Sequence, residues 1–169
     1  FVRTHYGWDK IAAQMDGAFQ NALSVEDDPR VLIATGLFPP EGGGPATYSK
    51  ALSDMLPARG FEIDVLPFRV VRKLPKIIRH VAYFFVVLRR GVRADIIFAQ
   101  DPVSVGLPAM LAAKILRKKF VLKVVGDYAW EQSNQRFGYQ GTIEEFQNAE
   151  LGFIASTMRS LERLVARSA

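Results

Sequence analysis

The chain has 169 residues, of which 49% are apolar, and a formal net charge of +5. That length makes one domain and buries a sizeable core, while the positive balance calls for an anionic partner without naming one. There is no cysteine and there are only two histidines, His5 and His80, far apart in sequence. Disulfides and thiolate metal sites are therefore excluded, and no metal ligand set is expected.

Residues 1–24 read as a separate amphipathic helix of about four turns, because Trp8, Ile11, Ala12, Met15, Phe19 and Leu23 recur at three- and four-residue steps. Asp9 near its start suits the helix dipole. Residues 25–29 form an acidic connector closed by Pro29. From residue 30 the patterns alternate, and residues 30–169 are expected to form a Rossmann-like domain. Residues 30–34 are a β-branched apolar run, the mark of a strand covered on both faces. Pro39 and Pro40 end it, since proline lacks the ladder donor. Gly42, Gly43 and Gly44 make a turn, and Pro45 opens a helix whose stripe is Tyr48, Leu52, Met55 and Leu56. Gly60 stops that helix.

Further units follow in the same order. Strands are expected at 61–66, 95–99 and 120–125, and helices at 74–90, 103–116 and 142–168. Pro108 is tolerated only early in its helix, and Thr142-Ile-Glu-Glu145 is a capping-box pattern for the last one. Four βα units in succession mean an α/β fold: a doubly wound parallel sheet, Rossmann-like, with helices on both faces. In such sheets ligands bind beyond the carboxyl ends of the strands, where strand order reverses. That rule selects residues 35–45, 100–104 and 126–131.

The third of these loops carries the most chemistry. Asp127 follows a buried strand and could serve as a base or accept from a hydroxyl. Tyr128, Trp130 and Glu131 stand beside it, and the Trp130 face suits a sugar ring. The plainer reading makes Asp127 a helix cap and Trp130 core. Asp101 ends the preceding strand in the same way, although Asp-Pro also starts turns well. A glycine turn opening a helix, as at Gly42, Gly43 and Gly44, presents N–H groups that favour anions. It lacks the Gly-Lys-Ser/Thr ending of a P-loop and the Gly-x-Gly-x-x-Gly spacing of dinucleotide folds. No cofactor is expected from it.

Residues 69–93 contain Arg69, Arg72, Lys73, Lys76, Arg79, Arg89, Arg90 and Arg93 with no acid, around an apolar centre. Such a helix can lie on an anionic membrane, with Arg72, Lys73, Lys76 and Arg79 as contact residues. Alternatively it packs on the sheet while its cations reach water. No groove-reading motif supports nucleic acid. The longest apolar run, residues 81–88, is too short for a bilayer span, which needs roughly 20 residues. With no signal-peptide pattern at its start, the chain is expected in the cytoplasm, with membrane contact peripheral and at the inner face.

Val31-Leu-Ile-Ala34, followed by Phe38-Pro-Pro-Glu-Gly-Gly-Gly-Pro-Ala-Thr-Tyr48 and later by Leu122-Lys-Val-Val-Gly-Asp-Tyr-Ala-Trp-Glu131, resembles the amino-terminal domain of family 4 glycosyltransferases of the GT-B architecture. The resemblance implies a retaining transferase that moves a sugar from a nucleotide sugar to a hydroxyl acceptor, with this domain holding the acceptor. It would place Gly43 and Gly44 near the donor phosphate and Asp127 by the acceptor. The histidine that many members carry in the last motif is matched here by Gly126, so its role does not transfer. Tyr6-Gly-Trp-Asp-Lys-Ile-Ala-Ala13 resembles the family's carboxyl-terminal end, whose helix crosses back onto the amino-terminal domain. The order found here implies that helix joined, through the acidic connector, ahead of the half it covers.

Without the family's donor-binding domain, the chain is expected to bind acceptor weakly and to transfer sugar negligibly. A homodimer through the exposed cleft face is also expected. Two other classes fit the same fold: a flavodoxin-like cofactor module, and a folding or interaction domain that binds no small ligand.

Overall fold

A computed structural model of the chain describes residues 7–22, 28–124 and 126–169. Leu23, most of the acidic connector and Val125 lie outside the described residues. The described residues run through α1 (Trp8–Ala22), then β1 (Arg30–Thr35), α2 (Gly44–Met55) and β2 (Glu62–Pro67). These are followed by α3 (Lys76–Gly91), β3 (Ile96–Ala99), α4 (Gly106–Leu116) and β4 (Lys119–Leu122). Three helices close it: α5 (Tyr128–Phe137), α6 (Ile143–Asn148) and α7 (Phe153–Ala166). Short 3-10 turns at Pro57–Arg59 and Phe68–Val71 flank β2.

All four strands are parallel, in the order β2-β1-β3-β4. The pleat divides β1 and β3 between two cores. Val31, Ile33, Ile96 and Phe98 face α1 and α2, where Phe19, Tyr48 and Leu52 meet them. Leu32, Ala34, Ile97 and Ala99 face α3 and α4, packing on Tyr83, Val87, Ala109 and Ala113. Both faces of the central strands are thus dry, which is why their sequences are continuously apolar rather than alternating. The doubly wound parallel sheet expected from the sequence is the architecture observed.

Phe19 is fully buried and meets Phe61 and Phe98 edge-on, with ring centroids 5.7 and 5.5 Å away. The amphipathic helix 8–22 therefore covers the sheet beside α2.

Most element ends are shifted by one to three residues, the helix expected over 103–116 starting at Gly106, and three differences bear on the site or the topology. The fourth strand is shorter, ending at Leu122. Residues 128–137, the first four of which fall in the loop expected at 126–131, form α5. Its polar composition hides the apolar period, but Asp127 caps its start and Gly138, at φ 67°, ends it in the left-handed conformation. The single long helix expected over 142–168 is two. The Thr142 capping box starts α6 as expected, but Ala149 takes an extended conformation and ends it. Arg159 of α7 donates to the open carbonyls of Phe146 (2.7 Å), Gln147 (3.0 Å) and Ala149 (3.3 Å), which stabilises the break.

Pro108 is the third residue of α4, within the first turn, where its missing N–H costs nothing. Gly106 begins that helix against the chain itself: a Cβ there would stand 2.3 Å from the Asp101 carbonyl oxygen.

Candidate ligand cleft at the carboxyl edge of the sheet

After β1 the chain turns to α2 on one face of the sheet, and after β3 it turns to α4 on the other. The divergence leaves a crevice above the carboxyl ends of these neighbouring strands. A cavity of about 450 Å³ occupies it, within the range of small-molecule sites. Gly44, Pro45 and Tyr48 border it from α2, Gln100, Asp101 and Pro102 from the β3 loop, and Lys123, Gly126, Tyr128 and Glu131 from beyond β4. Trp8 of α1 completes the wall.

A buried hydroxyl–amide cluster fixes the floor. Ser49 Oγ lies 2.9 Å from Gln100 Oε1 and 3.0 Å from Thr35 Oγ1. Thr35 Oγ1 donates to the Leu37 carbonyl at 2.8 Å. Thr35, Ser49 and Gln100 are all buried, so the ends of β1 and β3 and the middle of α2 share one polar knot. The two hydroxyls stand against one end of the Gln100 side-chain amide, and its other end is buried without a partner among the described residues.

Two charged groups flank this floor. Asp101 Oδ1 accepts from the N–H groups of Val103 (3.0 Å), Ser104 (2.5 Å) and Val105 (3.3 Å), closing the β3 loop on itself. Burial raises its pKa above the usual value, and those N–H groups oppose the shift. Lys123 stands over the Tyr48 ring, its Nζ 3.0 Å from the centroid, with no carboxylate within ion-pair distance among the described residues. Partial burial lowers its pKa. Burial also pushes the Tyr48 hydroxyl up to about 12. Trp8 tilts onto the same ring, at 6.4 Å between centroids.

The sequence-derived candidates separate on this geometry. Gly44, Asp101, Tyr128 and Glu131 border the cavity; Gly42 and Gly43 lie on the loop that leads into it. Of the three glycines only Gly43 takes a conformation that side chains resist, with φ 126°. Asp127 and Trp130 are engaged elsewhere. Asp127 Oδ1 caps α5 by accepting from Trp130 N at 2.8 Å, and its Oδ2 accepts from the Gln147 amide. The Trp130 indole donates to the Gly141 carbonyl at 2.9 Å.

The cleft residues that sequence reasoning did not single out are Trp8, Tyr48, Gln100 and Lys123. Lys123 falls within the strand expected over 120–125 and reaches the ligand edge because β4 ends at Leu122. Gln100 heads the selected loop 100–104, while Tyr48 reads as part of an apolar helix stripe.

The basic candidates also separate. Arg72 pairs with Glu41, and Arg79 lies half-buried over the Phe68 ring. Lys73 and Lys76 are exposed. Among the described residues no three His, Asp or Glu side chains stand close enough to hold a metal ion.

Fold and crevice together define a doubly wound α/β domain with an open cleft at its topological switch point. No protein-family model, curated protein or solved structure matches the chain.

Proposed function

We propose that this cleft is the acceptor-side half of a retaining glycosyltransferase site, where a hydroxyl acceptor meets the sugar of a nucleotide sugar. What supports the reading is the mixture of groups in one crevice. Lys123 offers a cation without a carboxylate partner among the described residues, Gln100 a side-chain amide at the wall, and Trp8 and Tyr48 flat apolar surface. A sugar presents hydroxyls that both donate and accept, on a ring with apolar faces, and matches the amide and the aromatics. A phosphate matches the lysine and the N–H groups at the start of α2.

The resemblance noted in the sequence places the donor in a second domain. The chain alone is therefore expected to hold acceptor weakly and to transfer sugar negligibly. Asp127, engaged as a cap, carries no part of this reading; Gln100, Asp101 and Lys123 carry it.

The strand order β2-β1-β3-β4 is also that of flavodoxin-like sheets, which bind flavin at the same switch point. Titration of isotope-labelled protein with nucleotide sugars, free nucleotides, polyol acceptors and flavin mononucleotide separates the two readings. Amide shifts at Gly44, Gln100, Lys123 and Tyr128 with nucleotide sugar or polyol support the transferase reading. Shifts there with flavin alone, or silence throughout the panel, overturn it.

A further inference from the structure

Helix α3 is apolar on two sides. Tyr83, Val87 and Gly91 face the core. On the opposite side Ile77 is 82% exposed, Phe85 58%, Ile78 55% and Val81 53%. Leu74 precedes this stripe and Val92 follows the helix, both exposed, so an apolar band covers the first ten residues of α3 at three- and four-residue steps from Leu74 to Phe85. Nothing among the described residues covers it. An amphipathic helix in a monomeric domain normally turns its only apolar stripe inward.

The charges around the band share one sign. No Asp or Glu occurs between Leu66 and Ala94. Some of the cations there are already engaged within the domain. Arg69 donates to the Phe38 and Pro39 carbonyls, Arg72 pairs with Glu41, Arg90 pairs with Asp64, and Arg79 packs on Phe68. Lys73 before the helix, Lys76 at its first position, Arg89 in its last turn and Arg93 just beyond it are exposed and have no acidic partner among the described residues. The band is therefore bracketed by unneutralised cations at both ends.

We propose that the outer face of α3 seats on an anionic bilayer: Ile77, Ile78, Val81 and Phe85 enter the headgroup boundary, and Lys73, Lys76, Arg89 and Arg93 meet lipid phosphates. Charge complementarity selects this occupant. A second copy docked through α3 would set cations against cations at both ends. Nucleic acid would satisfy the cations but leave the apolar band in water. An anionic lipid surface takes both, and it holds an in-plane helix by buried apolar area together with electrostatic attraction. Attachment is lateral, because no helix among the described residues is long and apolar enough to cross a membrane. The inference goes beyond the cleft and stands whatever the cleft binds.

Co-flotation of the full chain with vesicles tests it. Phosphatidylcholine vesicles are compared with an equimolar mixture of phosphatidylcholine and phosphatidylglycerol, at low and high salt. Partition onto the anionic vesicles, weak on the neutral ones and reduced by salt, is the expected result. Ile77→Ser with Phe85→Ser should lower the partition coefficient at least tenfold. Lys73→Gln with Arg89→Gln should lower it by about 25-fold, roughly fivefold for each cation. All four side chains are exposed, and an unchanged melting temperature verifies that the variants fold.

Equal partition onto both kinds of vesicle overturns the proposal, as does full binding by the Ile77→Ser, Phe85→Ser variant. So does a dimer in sedimentation that this variant abolishes, since a second copy would then be the occupant.

Discussion

Glu162 of α7 and Asp127 at the head of α5 share the first turn of one helix. The two oxygens of Glu162 accept from Tyr128 N at 3.1 Å and Ala129 N at 3.0 Å, while Asp127 accepts from Trp130 N at 2.8 Å. Three N–H groups that a helix start leaves open are thus met by carboxylates, the sign that the helix dipole favours. Gln147 of α6 donates to Asp127 and is itself held by Arg163 of α7 at 2.6 Å. The last three helices are tied at this point.

Asp127→Ala should therefore act on folding rather than on the cleft. The expected loss is about 1–2 kcal/mol, the value of a capping side chain, measured by urea unfolding. Affinity for any cleft ligand should change less than about twofold, because its carboxylate borders no part of the cavity. A large affinity loss with unchanged stability would return Asp127 to the acceptor site.

Glu162 predicts a pH dependence. Burial raises its pKa above the usual 4.5, with the nearby Asp127 charge adding to the shift and the two N–H groups opposing it. The folded state then holds this proton to higher pH than the unfolded state, so its contribution is fully present below 4.5 and is lost as pH rises through the folded value. The stability of the native protein relative to Glu162→Gln should accordingly be greater at the acid end and shrink toward neutrality. Urea titrations of both proteins across that range measure it; a gap that widens with pH would contradict the assignment.

Lys123 has the opposite sign. Its pKa is lowered by burial, so an anion held by its ammonium should be released on the alkaline side before the usual 10.5 is reached. Tyr48, at about 12, stays neutral beneath it through that range. For any nucleotide or phosphate found to bind the cleft, Lys123→Gln should weaken affinity by about 10- to 100-fold, as for loss of a charged hydrogen bond, and should abolish the alkaline decline. Calorimetric titration at several pH values gives both quantities.

Two buried glycines should respond differently to alanine. At Gly106 the new Cβ would meet backbone, the Asp101 carbonyl oxygen, which cannot swing away. At Gly91 it would meet the Cδ1 atoms of Ile97 and Leu116, each 2.9 Å away and on side chains that can turn. Gly106→Ala should cost about 3 kcal/mol and Gly91→Ala about 1 kcal/mol, the two ends of the usual overpacking range. Thermal unfolding of the two variants ranks them.

The alternation of patterns made the sheet legible. Residues 31–34 and 96–99 are apolar throughout because both sides are covered, and Gly60 and Gly91 mark the turns that lead into β2 and β3. Thr142 announced its helix through its capping partner Glu145. What escaped was whatever depends on contacts distant in sequence. The break after Asn148 is held by Arg159, and no local pattern shows where that guanidinium turns. The same holds in the cleft: Gln100 meets Ser49 and Thr35 only because the ends of β1 and β3 and the middle of α2 come together in the fold. Asp127 showed the converse. Its place after a strand fitted a base and a cap equally, and only the orientation of α5 separates the two.

The seat of Phe19 has a consequence for synthesis. This ring belongs to a helix made before β1, yet its walls are Phe61, just before β2, and Phe98 from β3. On the ribosome, α1 emerges with its apolar stripe long before the third strand exists to receive it, so one face of the sheet is sealed only when most of the domain has been translated.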